Sequence, residues 1–415
     1  MENFVMVSAA RRVRRALYLL PALVVAGLGS VTLTTAAEAG EPACVRTQAE
    51  KLLSPDGGFR DFVGWSVALD GNLAVVGAPG DDDGGLSSGT AYIFRRFGSE
   101  WMFEAKLGPA EPGPAPNQLF GYSVDVHEDR IVVGAPEIDD PDSEALDSGA
   151  VFVYERIDET WEQVAVVRQP DPQAFDLFGW HVVLDGDRLL ATSLEDFSGT
   201  GSAWIFEDAG DNTWSNTARL QPAQPQMNDR FGFDADLVGD VAIVGAFLND
   251  TAGQDAGSAH IFRFDGSAWS EEAVLTAFDA LSGAWYGFAV AIDGDTAMVG
   301  APRDGTDGAE AGKAYLYTFD GSTWQPELLP SPLPEPGAFF GEAVAVDGPY
   351  AAVGAPEHDL IDADAGLVFM YFDDGAAWVE HSRLEASDAA PDDELGFDVD
   401  LDGTLALVGA PRGDV

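Results

Sequence analysis

The chain has 415 residues, with 21 basic and 71 acidic side chains and a formal charge of −50 at pH 7. A surface this negative excludes the clustered Lys and Arg that phosphate backbones need, and it excludes docking on anionic lipid. Hydrophobic residues at 46% and charged residues at 22% exclude a disordered chain, while 47 Gly and 24 Pro call for many turns.

Residues 1–39 stand apart from the rest. Arg11, Arg12, Arg14 and Arg15 precede an uncharged run from Ala16 to Ala37, and Ala37-Glu38-Ala39 fits a small-x-small cleavage site. The segment reads as a signal peptide for export, with an apolar run also long enough for an uncleaved N-terminal anchor. Residues 40–47 follow as a short linker. Cys44 is the sole cysteine, so no internal disulfide can form and the fold must rest on its core.

From residue 48 onward the chain repeats itself. A pair ending in Gly, usually with an aromatic before it, recurs with its Gly at 64, 121, 179, 232, 287, 341 and 396. Thirteen residues after six of these glycines comes a Gly-Ala pair, at Gly77, Gly134, Gly245, Gly300, Gly354 and Gly409. The third copy alone departs, with Thr192-Ser193-Leu194. The repeats start near 62, 119, 177, 230, 285, 339 and 394.

Each repeat parses into four short strands. In the first, Trp65-Ser66-Val67-Ala68-Leu69 alternates, and Asp70-Gly71 turns the chain into Leu73-Ala74-Val75-Val76. An Asp-Gly pair between apolar runs is a hairpin signal in which both central residues are expected at positive φ. The third strand starts at a Gly, as in Gly89-Thr90-Ala91-Tyr92-Ile93-Phe94, and the fourth carries a Trp, at 101, 161, 214, 269, 324 and 378. Four antiparallel strands repeated around a ring predict a β-propeller. The expected fold is an all-β, seven-bladed β-propeller of four-stranded antiparallel blades over residues 48–415. Its seventh blade has only two strands before Val415, and Gln48 to Leu53 supplies its outer strand. The seventh blade is thus expected to be incomplete, lacking its third strand, as in a fragment of a longer product.

These residues resemble the FG-GAP repeat family, the propeller type of integrin α-subunit heads and many bacterial secreted proteins. Phe120-Gly121, Phe178-Gly179, Phe231-Gly232 and Phe340-Gly341 carry the first half of the motif, and Gly-Ala-Pro at 77–79, 134–136, 300–302, 354–356 and 409–411 carries the second. Calcium-binding members have an acidic loop between the first two strands. Here that connection is a two-residue turn in most copies, too short for the six to eight oxygens calcium takes. The family's calcium sites are therefore carried to no position.

Strand alternation puts the loops after Gly-Ala-Pro and those leading into Phe-Gly on one side of the disc, with the Asp-Gly turns on the other. The first set is acidic in every complete repeat, with Arg303 its one base. Asp81, Asp82, Asp83, Asp304, Asp307, Asp362 and Asp364 are the candidates there for a divalent cation such as Ca²⁺, and the same acids could steer a basic partner. The bland alternative is a solvated acidic surface. His127, His181, His260, His358 and His381 sit in separate stretches with no metal-ligand spacing. No nucleophile elbow, phosphate loop or zinc helix is present. Trp in the outer strand is expected to pack between blades, and Arg412-Gly413-Asp414 falls where other copies carry ordinary loop residues.

The function expected is an exported, monomeric, non-catalytic binding or adhesion scaffold that recognises an extracellular protein or glycan through its acidic loop face. The alternatives are a propeller enzyme acting on extracellular glycans with carboxylates at the central channel, or a module of a longer surface protein. Asp61 and Asp176, just ahead of the motif, are the acids considered for the enzyme.

Overall fold

Short apolar runs punctuated by Gly and Asp cannot hold a helix, and the backbone is satisfied instead by pairing strand to next strand. The computed structural model describes residues 3–8, 44–47, 50–58, 60–110 and 113–413. Most of the span read as signal peptide, and Asp414, lie outside the described residues.

Six consecutive four-stranded antiparallel blades follow one another along the chain. Blade 1 comprises Val67–Asp70, Leu73–Ala78, Thr90–Phe97 and Glu100–Leu107. Blade 2 runs from Val124–His127 to Thr160–Val167, and blade 3 from Phe178–Asp185 to Trp214–Leu220. Blades 4, 5 and 6 begin at Phe231–Val238, Val290–Asp293 and Val344–Asp347 and end at Trp269–Leu275, Trp324–Leu329 and Trp378–Glu385. In each, the first strand lies innermost and the fourth outermost. The one described helix, Asp196–Gly199, sits in the loop of the third repeat, the one that lacks the Gly-Ala pair.

The expected seventh antiparallel blade is corrected to a mixed sheet at the seam. Val399–Asp402 and Leu405–Gly409 form a hairpin there. Strand β1 (Asn3–Ser8) runs parallel beside Leu405–Gly409, and β3 (Glu50–Leu53) runs parallel beside β1. The missing third strand is thus replaced by residues from the span read as signal peptide, and six blades, not seven, have four antiparallel strands. Between them β2 (Cys44–Thr47), in the span read as linker, pairs parallel with the outer strand of blade 6.

The blades meet at glycine. A Cβ on Gly77 would lie 2.0 Å from the Gly121 carbonyl oxygen, and one on Gly300 would lie 1.9 Å from that of Gly341. The same contact closes the ring, with Gly409 against the Gly64 carbonyl at 2.1 Å. The residue before each motif glycine, aromatic in five of the seven repeats, is buried beside it, and in five repeats its backbone bridges to the glycine opening the preceding third strand, as Phe120 does to Gly89. Core clusters lie between adjacent blades, and the outer Trp belongs to these joints. Trp161 and Trp324 donate their indole N–H across to Glu104 and Glu272 of the preceding blade.

The hairpins differ from expectation in one respect. The two central residues of the first are Gly71 and Asn72, since Asp70 pairs with Leu73, and of these only Gly71 has positive φ, at 59°. Asp70 instead bridges blades, its carboxylate accepting the N–H of Glu128. Asp402 accepts the Gly71 N–H at 2.7 Å and Asp185 that of Gly239 at 2.6 Å.

Gly300→Val should destabilise by about 3 kcal/mol or more, because the added carbons meet backbone rather than a movable side chain. Asp307→Ala, on an exposed loop, should stay within about 0.5 kcal/mol. Equal melting temperatures for the two variants would contradict the joint.

Candidate functional site

The residue immediately after each motif glycine is carried to the ring axis, because the glycine leaves no side chain between the joint and the channel. These residues are Trp65, Tyr122, Trp180, Phe233, Phe288, Glu342 and Phe397, and all line the central cavity. Ring centroids stand 4.7 Å apart for Phe397 and Trp65, 5.5 Å for Trp65 and Tyr122, and 4.6 Å for Tyr122 and Trp180. The series continues at 5.9 Å to Phe233 and 4.5 Å to Phe288. Neighbouring planes are tilted 42–51°, so the rings form a walled collar rather than a flat stack. Glu342 occupies the remaining place, between Phe288 and Phe397 in chain order. Burial, then repulsion by Glu357 and Glu394, pushes its carboxyl up to about 8. The collar opens on the acidic loop face, where Phe247 packs on Phe233 and Phe288. Arg303 lies 3.7 Å from the ring centre of Trp285 there.

The central cavity, collar included, holds about 270 Å³, and below the collar it is lined by His181, Asp125, Asp234, Asp236, Asp398 and Asp400. These acids exist for a structural reason. The innermost strand of every blade has an open edge, whose N–H groups need acceptors away from any strand. Asp398 and Asp400 accept from Val67 and Leu69, Asp125 from Leu184, and Asp234 and Asp236 from Val290 and Ile292, at 2.6–2.8 Å. Ser66 and Ser123 do the same for Val124 and Val182. Enclosure by the surrounding blades raises the carboxyls, Asp125 and Asp234 to about 7 and Asp236 and Asp398 to about 6, and raises Asp400 strongly. The same burial lowers His181, which sits 3.0 Å from Asp234.

The loop acids named from sequence do not converge. Asp81 is buried and takes bonds from Tyr92 and Lys106, which also reaches Asp83 at 2.7 Å. Asp82 accepts the Ser87 N–H. Asp304 is buried beside Lys313 at 3.4 Å and caps Thr306. Asp307 and Asp362 are exposed, and Asp364 adopts positive φ in its own loop. Among the described residues no group of three or more His, Cys, Asp or Glu is placed to hold a metal ion. Two of the chain's three lysines, Lys106 and Lys313, therefore pin loop acids into their own blades.

Asp61 and Asp176, considered for glycan cleavage, are turn acids. Asp61 accepts from Gly58 N–H and Asp176 from Gln173 N–H, three residues earlier in each case. Burial raises both to about 6, yet they lie in separate repeats. The collar was missed in the sequence, although aligning the repeats on the motif glycine shows six aromatics and Glu342 at the next position.

Four-stranded blades arranged about an axial channel define the β-propeller class. The sequence matches the FG-GAP repeat family over residues 47–94, 101–154, 214–262, 269–317 and 378–415, more than half of the chain, and the protein belongs to that family. No curated protein matches it. Among the described residues no helix is long and apolar enough to cross a membrane.

The channel carboxyls make stability depend on pH. A carboxyl whose folded pKa is raised loses stability as pH climbs above the unfolded value of 3.8, and the loss completes as pH passes the folded value. Glu271 and Glu272, held low by bonds from His260 and Arg263, act oppositely and lose their contribution in acid. Thermal stability should therefore peak at about pH 5 and decline toward pH 8. A melting temperature that rises steadily from pH 5 to 8 would contradict enclosed channel carboxyls.

Proposed function

We propose that this protein is an exported, non-catalytic binding propeller whose loop face receives a basic partner protein. A lysine or arginine side chain of the partner enters the collar and pairs with Glu342. The carrying observation is the run of six aromatics closed by one carboxylate at the mouth of an acid-lined channel. Aromatic faces attract cations through their quadrupole, and the attraction strengthens where water is excluded. The acidic loops add long-range steering toward a positive surface. Export is supported by the Arg-led apolar segment before residue 39 and by the family's occurrence in secreted proteins. In this reading the hairpin of Val399–Asp402 and Leu405–Gly409 fills the seventh place of the ring, and no group of residues is assigned to chemistry.

The test is a titration with a Gly-Arg-Gly peptide, followed by the fluorescence of Trp65 and Trp180. Binding should fall at least tenfold in Trp180→Ala. Because a bound cation favours the ionised form of Glu342, affinity should rise roughly tenfold between about pH 6.5 and 8.5. Glu342→Gln should abolish that pH dependence. Equal binding of a peptide with neutral citrulline in place of Arg would overturn the reading. An oligosaccharide bound by the wild type and lost in Trp180→Ala would move the ligand to a glycan.

A further inference from the structure

The central cavity presents two kinds of carboxyl. In Asp125, Asp234, Asp236, Asp398 and Asp400 both oxygens already accept backbone N–H groups, at 2.6–3.0 Å. One bond comes from the residue that follows and the other from the next blade, so these acids are committed to the joints. Glu342 is different. It lines the same cavity at the level of the rings, and among the described residues no N–H or O–H donates to its carboxyl. Glu357 and Glu394 repel its charge, and Arg303, over the Trp285 ring, offsets them only through space.

What sits beside Glu342 must therefore bring positive charge and few hydrogen-bond donors. The six rings of the collar have their faces and edges to offer, and Glu342 is the one carboxyl at their level. A primary ammonium carries three N–H groups and a guanidinium five. Enclosed by the rings, either would keep donors without acceptors and lose the hydration they had in water. A quaternary ammonium has no N–H to satisfy, and aromatic faces are its usual surroundings in binding sites.

The size of the collar points the same way. Neighbouring centroids 4.5–5.9 Å apart in a ring of seven places lie about 6 Å from its axis, the reach of cation–π attraction. A cation on the axis thus faces all six rings, yet a bare ammonium nitrogen there touches none of them. Methyl groups on that nitrogen carry its surface outward to about 4.5 Å from the centroids, which is van der Waals contact.

We propose that the collar is a site for a trimethylammonium group, its methyls against the six rings and Glu342 supplying the counter-charge. The proposal rests on the reading that the collar receives a cation, and it specifies which cation. Trimethylation keeps the charge of a lysine while removing its donors, so a modified lysine of the partner protein carries this group. A free quaternary amine such as choline carries the same one.

The experiment titrates the full chain, by calorimetry and tryptophan fluorescence, with four Gly-X-Gly peptides and with choline. X is lysine, arginine, trimethyllysine, or the neutral isostere of trimethyllysine in which carbon replaces the quaternary nitrogen. The trimethyllysine peptide should bind at least tenfold more tightly than each of the other three. Glu342→Gln should weaken it at least fivefold and leave the isostere unchanged. Choline that matches the trimethyllysine peptide supports the site and assigns it to a free amine, while weaker choline binding supports it and assigns it to a modified protein. Lysine or arginine peptides binding as tightly as trimethyllysine would overturn the proposal and leave the reading of a cation in the collar standing. An isostere equal to trimethyllysine would overturn the proposal, because apolar fit would then suffice. Binding by none of the charged peptides would overturn the proposal and that reading together.

Discussion

Two backbones touching at each blade joint set the terms for the rest of the molecule. The glycine of Gly-Ala meets the carbonyl of the next motif glycine at a distance no side chain could share. That contact draws neighbouring blades together, buries the aromatic of the motif, and delivers the following residue to the axis. The fixed offset of thirteen residues belongs to the hairpin inside each repeat, where the motif glycine donates its N–H to the carbonyl of the Gly-Ala glycine, as Gly64 does to Gly77, and so sets both glycines at the level of the joint. The third repeat shows its tolerance. Thr192 takes the place of the glycine there, and a Cβ on Gly232 would lie 3.0 Å from the Thr192 Cβ.

Bringing the innermost strands around a channel leaves their edges open. Aspartate and serine side chains close them, each accepting an N–H from the next blade. A channel lined with carboxylates is thus a consequence of closing a ring with little backbone pairing between blades. The carboxyls are raised because they are enclosed, and the collar caps the same channel. The charge of −50 now divides into parts with different jobs. Some acids terminate strand edges, some are pinned by Lys106 and Lys313, and some remain on the loop face to shape the field around the collar.

Much of the fold was legible because its repeats obey local rules. The strands of Trp65 to Val76, the opening glycines of third strands and the outer strand ending at Leu53 all follow from short-range pattern. The Asp-Gly pairs were visible but misread, since Asp70 acts on the next blade rather than on its own turn. The pinning of Asp81 by Lys106 and of Asp304 by Lys313 depends on which strands lie side by side, and composition cannot reveal that. The direction of β1 was beyond reach for a related reason: a short apolar strand pairs either way, and its partners lie some four hundred residues on. The collar hid in plain view, because a single aromatic after a glycine looks like any core residue until all repeats are superposed.

Closure of the ring at the seam, by the same glycine contact as at the internal joints, is what makes the collar continuous. Replacing Gly409 by Ala and, separately, Gly354 by Ala puts a Cβ 2.1 Å from a carbonyl oxygen in both cases. Melting temperatures of the two variants, measured side by side, test closure without reference to any ligand. Comparable losses are predicted. A Gly409→Ala protein that melts like the wild type would mean that the ring is open between Phe397 and Trp65, and that the collar does not exist as a continuous site.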